Sequence, residues 1–577
     1  MNLDISYLLN SYRNGSLSVR QVITDLGIAA AKAPSEIWIF RLASEQLESY
    51  LVNLESRSPD SLPLYGIPFA IKDNIDLSGV PTTAACPAYA YNPTCSAHVV
   101  ELLIQAGAIP IGKTNMDQFA TGLVGVRSPY GAVPNKLSPG YISGGSSSGS
   151  AAALSYELVS FSLGTDTAGS GRIPAAFNEL FGVKPSKGAL STFGVVPACR
   201  SLDCVSIFAR NCADARMLFE LCADYDRKDP YSRKFSKTDT PLPLNWKFAV
   251  PQKEQLNFFG NRAYKEAFSA AVHCLKAAGG TAVEIDFSPF MEAARLLYNG
   301  PWVYERYSAV GKFIETHPGE VLPVIRQIIT PTAAMHPSEV FDGFHKLQEL
   351  KAIADRELAK ADLLLTPTAG TIYQIDEVCV DPIQLNSNLG YYTNYMNLLD
   401  YCAIAVPMER ADGLPFGITL TAPAGAEQRL FDCCEQIAQS AVDQYNIAVF
   451  GAHLRGCPLH YELKEAGAIF VKEALTSSSY CIYPMVTKTG AKPALVRKID
   501  QGNSCYCEIY RMSGAAFAQF IQKIPPPLGI GKVELLDGQW ISGFISEAIS
   551  AELFSADPDL HDWRNHPDSG YNKETLA

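Results

Sequence analysis

Two clusters of glycine and serine, joined by one short apolar segment, constrain the fold of this chain more than any other feature. Residues 143–150 read Ser-Gly-Gly-Ser-Ser-Ser-Gly-Ser, and residues 164–172 read Gly-Thr-Asp-Thr-Ala-Gly-Ser-Gly-Arg. Glycines allow a close backbone approach or a positive φ, and serines offer hydroxyl and N–H groups at helix starts. The residues between the clusters predict a helix followed by a buried strand. Two such turns in a unit of this size indicate a single site.

Length and composition exclude several classes of protein. A chain of 577 residues is too long for one core and predicts one large and one smaller domain. The hydrophobic fraction of 47% with 18% charged residues is typical of a packed protein, and the net charge of -12 argues against nucleic-acid binding. The 15 cysteines are scattered without a metal-ligand spacing, so we expect free thiols and no metal. With no signal segment or long apolar run, we expect a cytoplasmic protein without a membrane anchor.

A lysine stands at the end of an apolar strand. Residues 64–75 read Leu-Tyr-Gly-Ile-Pro-Phe-Ala-Ile-Lys-Asp-Asn-Ile, and the predicted strand is apolar on both faces up to Lys72. One interpretation is a strand-end lysine whose ammonium group reaches water. The other is a site residue, because ligands bind open α/β sheets at the ends of their strands.

Helix and strand signals alternate to about residue 215 and predict a mixed sheet covered by helices on both faces. Within this run, residues 113–122 are predicted to open a helix. Ser170 is predicted at a helix N-terminus, where the N–H groups of Thr167, Ala168, Gly169 and Ser170 itself point together at one anion and form an oxyanion hole. The alternative is that Ser170 is an ordinary helix N-cap.

A competing motif overlaps the first cluster. Gly145, Ser147 and Gly149 fit G-x-S-x-G, the nucleophile elbow of α/β-hydrolases, whose serine needs a histidine base. No histidine of the large domain stands at a predicted strand end. A serine nucleophile without histidine indicates a lysine base.

Three segments, at residues 68–74, 144–150 and 164–174, resemble the amidase signature family in order and spacing. The resemblance implies an α/β amidase-signature fold without a cofactor. It implies that Ser170 is the nucleophile, Ser146 a bridging serine held by a cis peptide, and Lys72 the base. A lysine with an ordinary pKa of about 10.4 is protonated at neutral pH, so Lys72 must be desolvated to act as a base. Asp166 and Arg172 are expected to pair and brace the turn.

The segment from Tyr298 to Arg306, Tyr-Asn-Gly-Pro-Trp-Val-Tyr-Glu-Arg, predicts the specificity. A guanidinium and a phenol suit a small carboxylate, although a surface arginine with a packed tyrosine fits the spacing equally well. The pattern resembles the allophanate hydrolases, a group within the amidase signature family. That resemblance implies that Tyr298 and Arg306 hold the substrate carboxylate and that Gly122 contributes to the substrate site.

We divide the chain into an amidase signature domain, residues 1–440, and a C-terminal domain, residues 441–577. Several β-rich segments and a helix near residues 514–522 predict a small β-rich fold. It resembles the C-terminal domain of allophanate hydrolases, related to the γ-glutamylcyclotransferase-like fold. The resemblance implies that this domain promotes loss of carbon dioxide from N-carboxycarbamate, with His453 and His460 as candidates. Cyclotransferase activity is not expected, because Pro-Pro-Pro-Leu-Gly-Ile-Gly replaces the catalytic acid at residues 525–531. A packing or assembly role is the alternative.

These observations predict an amidohydrolase that converts allophanate, a carboxylated urea, to ammonia and N-carboxycarbamate. The alternatives are a general amidase, an ammonia-channelling amidotransferase A-type subunit, and a catalytically silent binding protein. We expect a homodimer that works with a urea carboxylase or a biuret-type amidohydrolase.

Overall fold

The computed structural model describes residues 1–235, 241–330, 336–442, 444–487, 490–499 and 501–573. The chain forms two compact units, Met1–Val272 with Gly280–Glu435, and His273–Gly279 with Gln436–Ala577. The predicted division after residue 440 stays a prediction, since the second unit is not one consecutive block. In the described ranges, every helix is too short or too polar to cross a membrane.

The first unit is built on one large sheet. Its strands are β1 (Trp38–Arg41), β2 (Pro68–Lys72), β3 (Ile109–Thr114), β4 (Phe161–Asp166), β5 (Phe181–Lys184), β6 (Cys204–Ala209), β7 (Lys247–Pro251), β8 (Thr281–Ile285), β9 (Leu363–Pro367), β10 (Tyr401–Ala411) and β11 (Leu414–Pro423). They lie in the order β1-β3-β2-β4-β6-β5-β10-β11-β9-β7-β8. β2 pairs in parallel with β3 and β4, and β7 does so with β8 and β9, whereas the other pairs are antiparallel. The predicted mixed sheet is confirmed.

The helices of the chain up to residue 442 are α1 (Ile5–Arg13), α2 (Val19–Lys32), α3 (Ser44–Glu55), α4 (His98–Gln105), α5 (Ser148–Ser155), α6 (Ile173–Phe177), α7 (Cys212–Cys222), α8 (Arg262–Ala277), α9 (Ser288–Asn299), α10 (Trp302–Thr316), α11 (Pro323–Ile329), α12 (Pro337–Leu358), α13 (Ile375–Val380), α14 (Gln384–Leu389), α15 (Tyr395–Leu398) and α16 (Glu427–Val442). α5 packs on β4, and α6 packs on β10 and β11. The small side chains of α5, which is buried from Ser148 to Leu154, permit this close contact with the sheet.

Two local predictions are wrong. Residues 113–122 do not open a helix: β3 continues to Thr114, and only a short 3₁₀ turn, Gln118–Ala120, follows. Ser170 does not stand at a helix N-terminus, because β4 extends to Asp166 and α6 begins at Ile173. In the first case β3 runs further than its local sequence suggests, and in the second the Asp166 carboxylate accepts the N–H groups of Gly169 and Gly171 and holds Ser170 in a turn. The pairing of β3 with β2 supplies the additional backbone hydrogen bonds of the longer strand.

The second unit is β-rich, as predicted. Its elements are β12 (Gln444–Val449), α17 (His460–Glu465), β13 (Ile469–Leu475), β14 (Tyr480–Thr487), β15 (Gly490–Arg497), β16 (Tyr506–Ser513), α18 (Gly514–Gln522), β17 (Leu528–Glu534), β18 (Trp540–Ser546) and α19 (Ile549–Leu553). A five-stranded sheet has the order β13-β16-β12-β18-β17, and β14 pairs with β15. The likeness to the γ-glutamylcyclotransferase-like fold stays a prediction.

Candidate active site

Lys72 ends β2, the strand that lies between the two parallel neighbours β3 and β4. Its side chain is completely buried, as are the residues before it in the strand. Its Nζ lies 2.7 Å from Ser146 Oγ and 2.7 Å from Thr165 Oγ1. Thr165 in turn accepts a hydrogen bond from Asn74 Nδ2 at 3.3 Å. The structure therefore directs Lys72 inward, against two hydroxyl groups, and excludes the interpretation of a lysine that reaches water.

Burial lowers the pKa of Lys72 to about 7, because the charged ammonium loses its hydration. The carboxylates of Asp117, Asp166 and Asp203 oppose this shift by attracting the positive charge, but desolvation is the larger effect. A substantial fraction of Lys72 is thus neutral near pH 7, as a base requires.

Ser146 follows a cis peptide bond, Gly145–Ser146, as the family resemblance implies. Its carbonyl accepts a hydrogen bond from the Asp117 N–H at 3.1 Å. A Cβ at Gly145 would lie 2.0 Å from Asp117 Oδ2, so only glycine fits there. The competing serine, Ser147, donates its hydroxyl to the Thr165 carbonyl at 3.1 Å. The Ser147 hydroxyl is therefore engaged with backbone, which disfavours the α/β-hydrolase elbow.

Ser170 lies in the turn between β4 and α6 and is only 3% exposed. Its Oγ donates to the Gly122 carbonyl at 3.5 Å. Among the described residues no hydrogen bond joins Ser170 to Ser146. The turn is braced by the expected ion pair: Arg172 Nε and Nη2 each lie 2.9 Å from an Asp166 carboxylate oxygen, with both side chains fully buried. The structure thus brings Ser170 beside Gly122 and holds the turn rigidly.

The predicted oxyanion donors are not equivalent. The Gly169 N–H donates to Asp166 Oδ1 at 2.9 Å and is occupied. Within the described ranges, the N–H groups of Thr167 and Ala168 make no backbone or side-chain hydrogen bond. The Thr167 hydroxyl donates to Asp203 Oδ1 at 2.5 Å. The free N–H groups of Thr167 and Ala168 are therefore the donors that remain for an anion.

Tyr298 and Arg306 lie together, on two consecutive helices. Tyr298 belongs to α9 and Arg306 to the second turn of α10, and the Arg306 guanidinium carbon lies 5.5 Å from the centre of the Tyr298 ring. Arg306 is 3% exposed, and its Nε is buried without a hydrogen-bond partner in the described structure. A buried guanidinium with an unsatisfied donor is suited to bind an anion.

The sequence carries little signal for three further residues at this site. Arg127 is buried; it donates to the Thr121 carbonyl at 3.0 Å, next to Gly122, and interacts electrostatically with Tyr298. Glu305 and Asp203 bind the turn that precedes β6. For Glu305 alone, the position directly before Arg306 in the sequence indicates that the residue lies near the site.

The two histidine candidates of the second unit differ in their surroundings. His453 borders a cavity of about 260 Å³ that is also lined by Glu462, Lys492 and Lys523. Its Nε2 lies 3.1 Å from Glu462 Oε2, while burial lowers its pKa. His460 does not line that cavity, and its Nδ1 lies 3.3 Å from the His453 carbonyl. The structure therefore separates the two, and His453 alone faces the cavity.

Comparison with known proteins identifies the family of the chain. The amidase family model matches residues 27–431 of the chain. The chain belongs to the amidase family. A second model, the allophanate hydrolase C-terminal domain, matches residues 445–567 of this amidase.

Relatives of this amidase cover different parts of it. Urea amidolyase from Lachancea kluyveri is 41% identical over 549 residues, which are 88% of this amidase but 30% of the relative. The A-type component of glutamyl-tRNA(Gln) amidotransferase from Methanosarcina mazei is 34% identical over 396 residues, 62% of this amidase and 81% of the relative. The solved structure of Kluyveromyces lactis allophanate hydrolase is 38% identical, with a TM-score of 0.72, and covers 96% of this amidase and 98% of that chain. This amidase thus spans about 30% of the urea amidolyases that it matches.

Proposed function

We propose that this amidase hydrolyses allophanate to ammonia and N-carboxycarbamate. The observation that carries the proposal is the buried Arg306, with its unsatisfied Nε and with Tyr298 beside it, in the same unit as Lys72, Ser146 and Ser170. A simple amide has no group that needs a buried cation, whereas allophanate carries a carboxylate at the end opposite the amide. The full-length likeness to a solved allophanate hydrolase supports the same substrate.

The chemistry is an acyl transfer through Ser170. The side chain of Ser170 turns from the Gly122 carbonyl toward Ser146, and its Oγ attacks the amide carbon. The Ser170 proton passes to Ser146, and the Ser146 proton passes to neutral Lys72. Thr167 and Ala168 donate their N–H groups to the oxygen that becomes negative. The role of each residue matches the resemblance to the family.

The same relay running backwards completes the reaction. The C–N bond breaks, and the departing amine receives its proton from Ser146, which is reprotonated by Lys72, so ammonia leaves. Water then attacks the acyl-enzyme, releases N-carboxycarbamate and restores the Ser170 hydroxyl. The sum is allophanate plus water giving ammonia, N-carboxycarbamate and one proton. Arg306 and Tyr298 hold the carboxylate throughout.

We further propose that the second unit promotes loss of carbon dioxide from N-carboxycarbamate. The observation that favours this is the cavity with His453, Glu462 and two lysines, because cationic side chains suit a substrate that carries two carboxylates. The protonated form of the His453 ring, which the Glu462 carboxylate favours and burial disfavours, supplies the proton that the nitrogen takes up as its bond to carbon dioxide breaks, and the ring then takes up another proton from solvent. The products are carbamate and carbon dioxide, and carbamate then yields ammonia and a second carbon dioxide.

The remaining proposals concern the compartment, the oligomeric state and the source of the substrate. We propose that the protein acts in the cytoplasm as a homodimer and receives allophanate from a urea carboxylase or a biuret-type amidohydrolase. The name of the urea amidolyase relatives supports a link to urea breakdown. The anion site of Arg306 and Tyr298 disfavours both a general amidase and an amidotransferase component.

One assay tests the substrate. The purified chain is supplied with allophanate or with biuret, in which a carboxamide replaces the carboxylate, and ammonia is measured. We expect a kcat/KM about 10- to 10²-fold higher for allophanate, because a charge-assisted contact with Arg306 contributes about 1.5 to 3 kcal/mol. Equal values for the two substrates would contradict the proposal and favour a general amidase.

A further inference from the structure

Two carboxylates outside the proposed relay connect the carboxylate site to the nucleophile turn. The first is Glu305, half-buried in the first turn of α10 and adjacent to Arg306. Glu305 Oε1 accepts the Ser201 N–H at 2.7 Å, and Oε2 accepts the Ser201 hydroxyl at 2.7 Å and the Cys199 thiol at 3.0 Å. Glu305 therefore fixes α10 to the turn formed by residues 198–203.

The second carboxylate, Asp203, closes the same turn from its other end. Asp203 Oδ2 accepts the N–H groups of Ala198 and Cys199 at 2.9 and 3.1 Å. Asp203 Oδ1 accepts the Thr167 hydroxyl at 2.5 Å. The chain of contacts runs from α10 through Glu305, the turn and Asp203 to Thr167, whose N–H is one of the free donors for the oxyanion.

Arg306 also interacts electrostatically with Asp203 and Cys199, two residues of this hydrogen-bonded series. Burial raises the pKa of Asp203 to about 6; the hydrogen bonds from Thr167 and Cys199 oppose this rise, and the charge of the Arg306 guanidinium opposes it to a smaller extent. Arg306 also acts on the Cys199 thiol. Because these interactions weaken with distance, Arg306 lies near the 198–203 turn that Glu305 binds.

The turn has space on one side. A cavity of about 340 Å³ is bordered by Pro197, Arg200 and Asp203. Without the two carboxylates, this cavity leaves the turn room to shift, and Thr167 loses the hydrogen bond that orients it.

We infer that Glu305 and Asp203 are positioning residues that fix the distance between the carboxylate site at Arg306 and the oxyanion donor at Thr167. The inference rests on the proposed function. A rigid connection that holds an oxyanion donor at a fixed distance from the carboxylate site orients the reacting centre, and this orientation raises kcat. The Glu305–turn–Asp203 chain is that connection. Glu305 thereby affects the chemical step, whereas Arg306 itself affects substrate binding.

The test compares Glu305→Ala, Glu305→Gln and Arg306→Ala in the full chain, with kcat and KM measured for allophanate and biuret. We expect Glu305→Ala to lower kcat about 10- to 100-fold for both substrates, with KM changed less than about threefold, since loss of one oxyanion donor costs about 10²–10³ in kcat. Glu305→Gln keeps one acceptor oxygen for Ser201 and is expected to recover about half of that loss on a logarithmic scale. Arg306→Ala is expected to raise KM for allophanate alone.

A second readout separates this inference from the choice of substrate. The rate at which a serine-directed fluorophosphonate labels the protein depends on Ser170 and the oxyanion donors but not on allophanate. We expect Glu305→Ala to slow labelling at least ~10-fold, while Glu315→Ala, exposed on the same helix, leaves the rate unchanged. An unchanged labelling rate and kcat in Glu305→Ala, or an effect on KM for allophanate only, would overturn the inference. If the wild-type chain labels but does not hydrolyse allophanate, the proposed function fails and the labelling comparison still decides the role of Glu305.

Discussion

Lys72 Nζ lies 2.7 Å from Ser146 Oγ, although 74 positions separate the two residues in the chain. β2 delivers the lysine, and the turn before α5 delivers the serine. Both are completely buried, so the hydrogen bond is made in a medium of low polarity, where it is stronger than it would be in water. The same environment lowers the pKa of Lys72 and makes it usable as a base.

The pH dependence of turnover tests the state of Lys72. Since the base must be deprotonated and its pKa is about 7, kcat/KM is expected to rise with pH through about 7 and to level off above about 8. Lys72→Arg, which stays cationic, and Lys72→Met, which cannot accept a proton, are expected to lose about 10³-fold or more in kcat. A wild-type profile that is flat from pH 5 to 9 would contradict a titrating lysine base.

Covalent labelling distinguishes the three serines. Ser170→Ala is expected to abolish both turnover and labelling by a fluorophosphonate, because the nucleophile is missing. Ser146→Ala keeps the nucleophile but breaks the relay, so labelling is expected to slow by about 10²-fold or more. Ser147→Ala serves as the control for the alternative nucleophile and is expected to label. Labelling of Ser170→Ala at the wild-type rate would place the nucleophile elsewhere, and the absence of any labelling in the wild type would favour a silent binding protein.

Conservative changes at the carboxylate site are expected to act on KM. Arg306→Lys loses the planar donor fork and Tyr298→Phe loses one hydroxyl, so KM for allophanate is expected to rise about 10- to 100-fold and about 3- to 10-fold, with kcat little changed. Arg295→Ala, an exposed arginine on α9, is the matched control. Steady-state kinetics check this. A loss in kcat without a change in KM for Arg306→Lys would assign the guanidinium to the chemical step instead.

Gly122 has a φ of +156° and no space for a side chain. A Cβ there would lie 2.6 Å from Asp117 Oδ2, so Gly122→Ala is expected to displace the carbonyl that accepts the Ser170 hydroxyl and to lower kcat at least ~10-fold. Gly27→Ala, in α2 with open space around it, is the control and is expected to be neutral or slightly stabilising. Circular dichroism melting curves show whether each variant is folded. Full activity in Gly122→Ala would show that the Gly122 carbonyl can move without cost.

The second unit is tested by following carbon dioxide and ammonia separately. His453→Gln is expected to leave the first ammonia release unchanged but to slow carbon dioxide release to the uncatalysed rate. Glu462→Gln is expected to have the same effect to a smaller extent, because it only orients the imidazole. His460→Gln is the control, since His460 lies outside the cavity. Equal loss in His453→Gln and His460→Gln, or no loss in either, would contradict a role for the cavity.

Much of the site is accessible from the sequence because its local chemistry is unusual. A lysine in an apolar strand and two glycine-serine turns are patterns that few structural needs explain, and the family resemblance that these segments carry implies the meeting of Lys72 with Ser146. The pairing of Asp166 with Arg172 follows from their proximity in one turn. The helix at residues 514–522 is predicted at the residues where α18 forms.

What only the tertiary structure decided depends on contacts between distant segments. The Asp166 carboxylate accepts the N–H groups of Gly169 and Gly171, which holds Ser170 in a turn before α6 and leaves the Gly169 N–H unavailable to an anion. The packing of α10 and the 198–203 turn decides that Arg306 Nε is buried without a partner and that Asp203 reaches Thr167. The pattern of apolar residues along the sequence does not predict this packing. The sequence by itself determined which groups carry the chemistry, because residue type fixes pKa, charge and hydrogen-bonding capacity. The fold decided which of those groups are available to react or to bind substrate, because burial and competing hydrogen bonds depend on where each group lies in the folded structure.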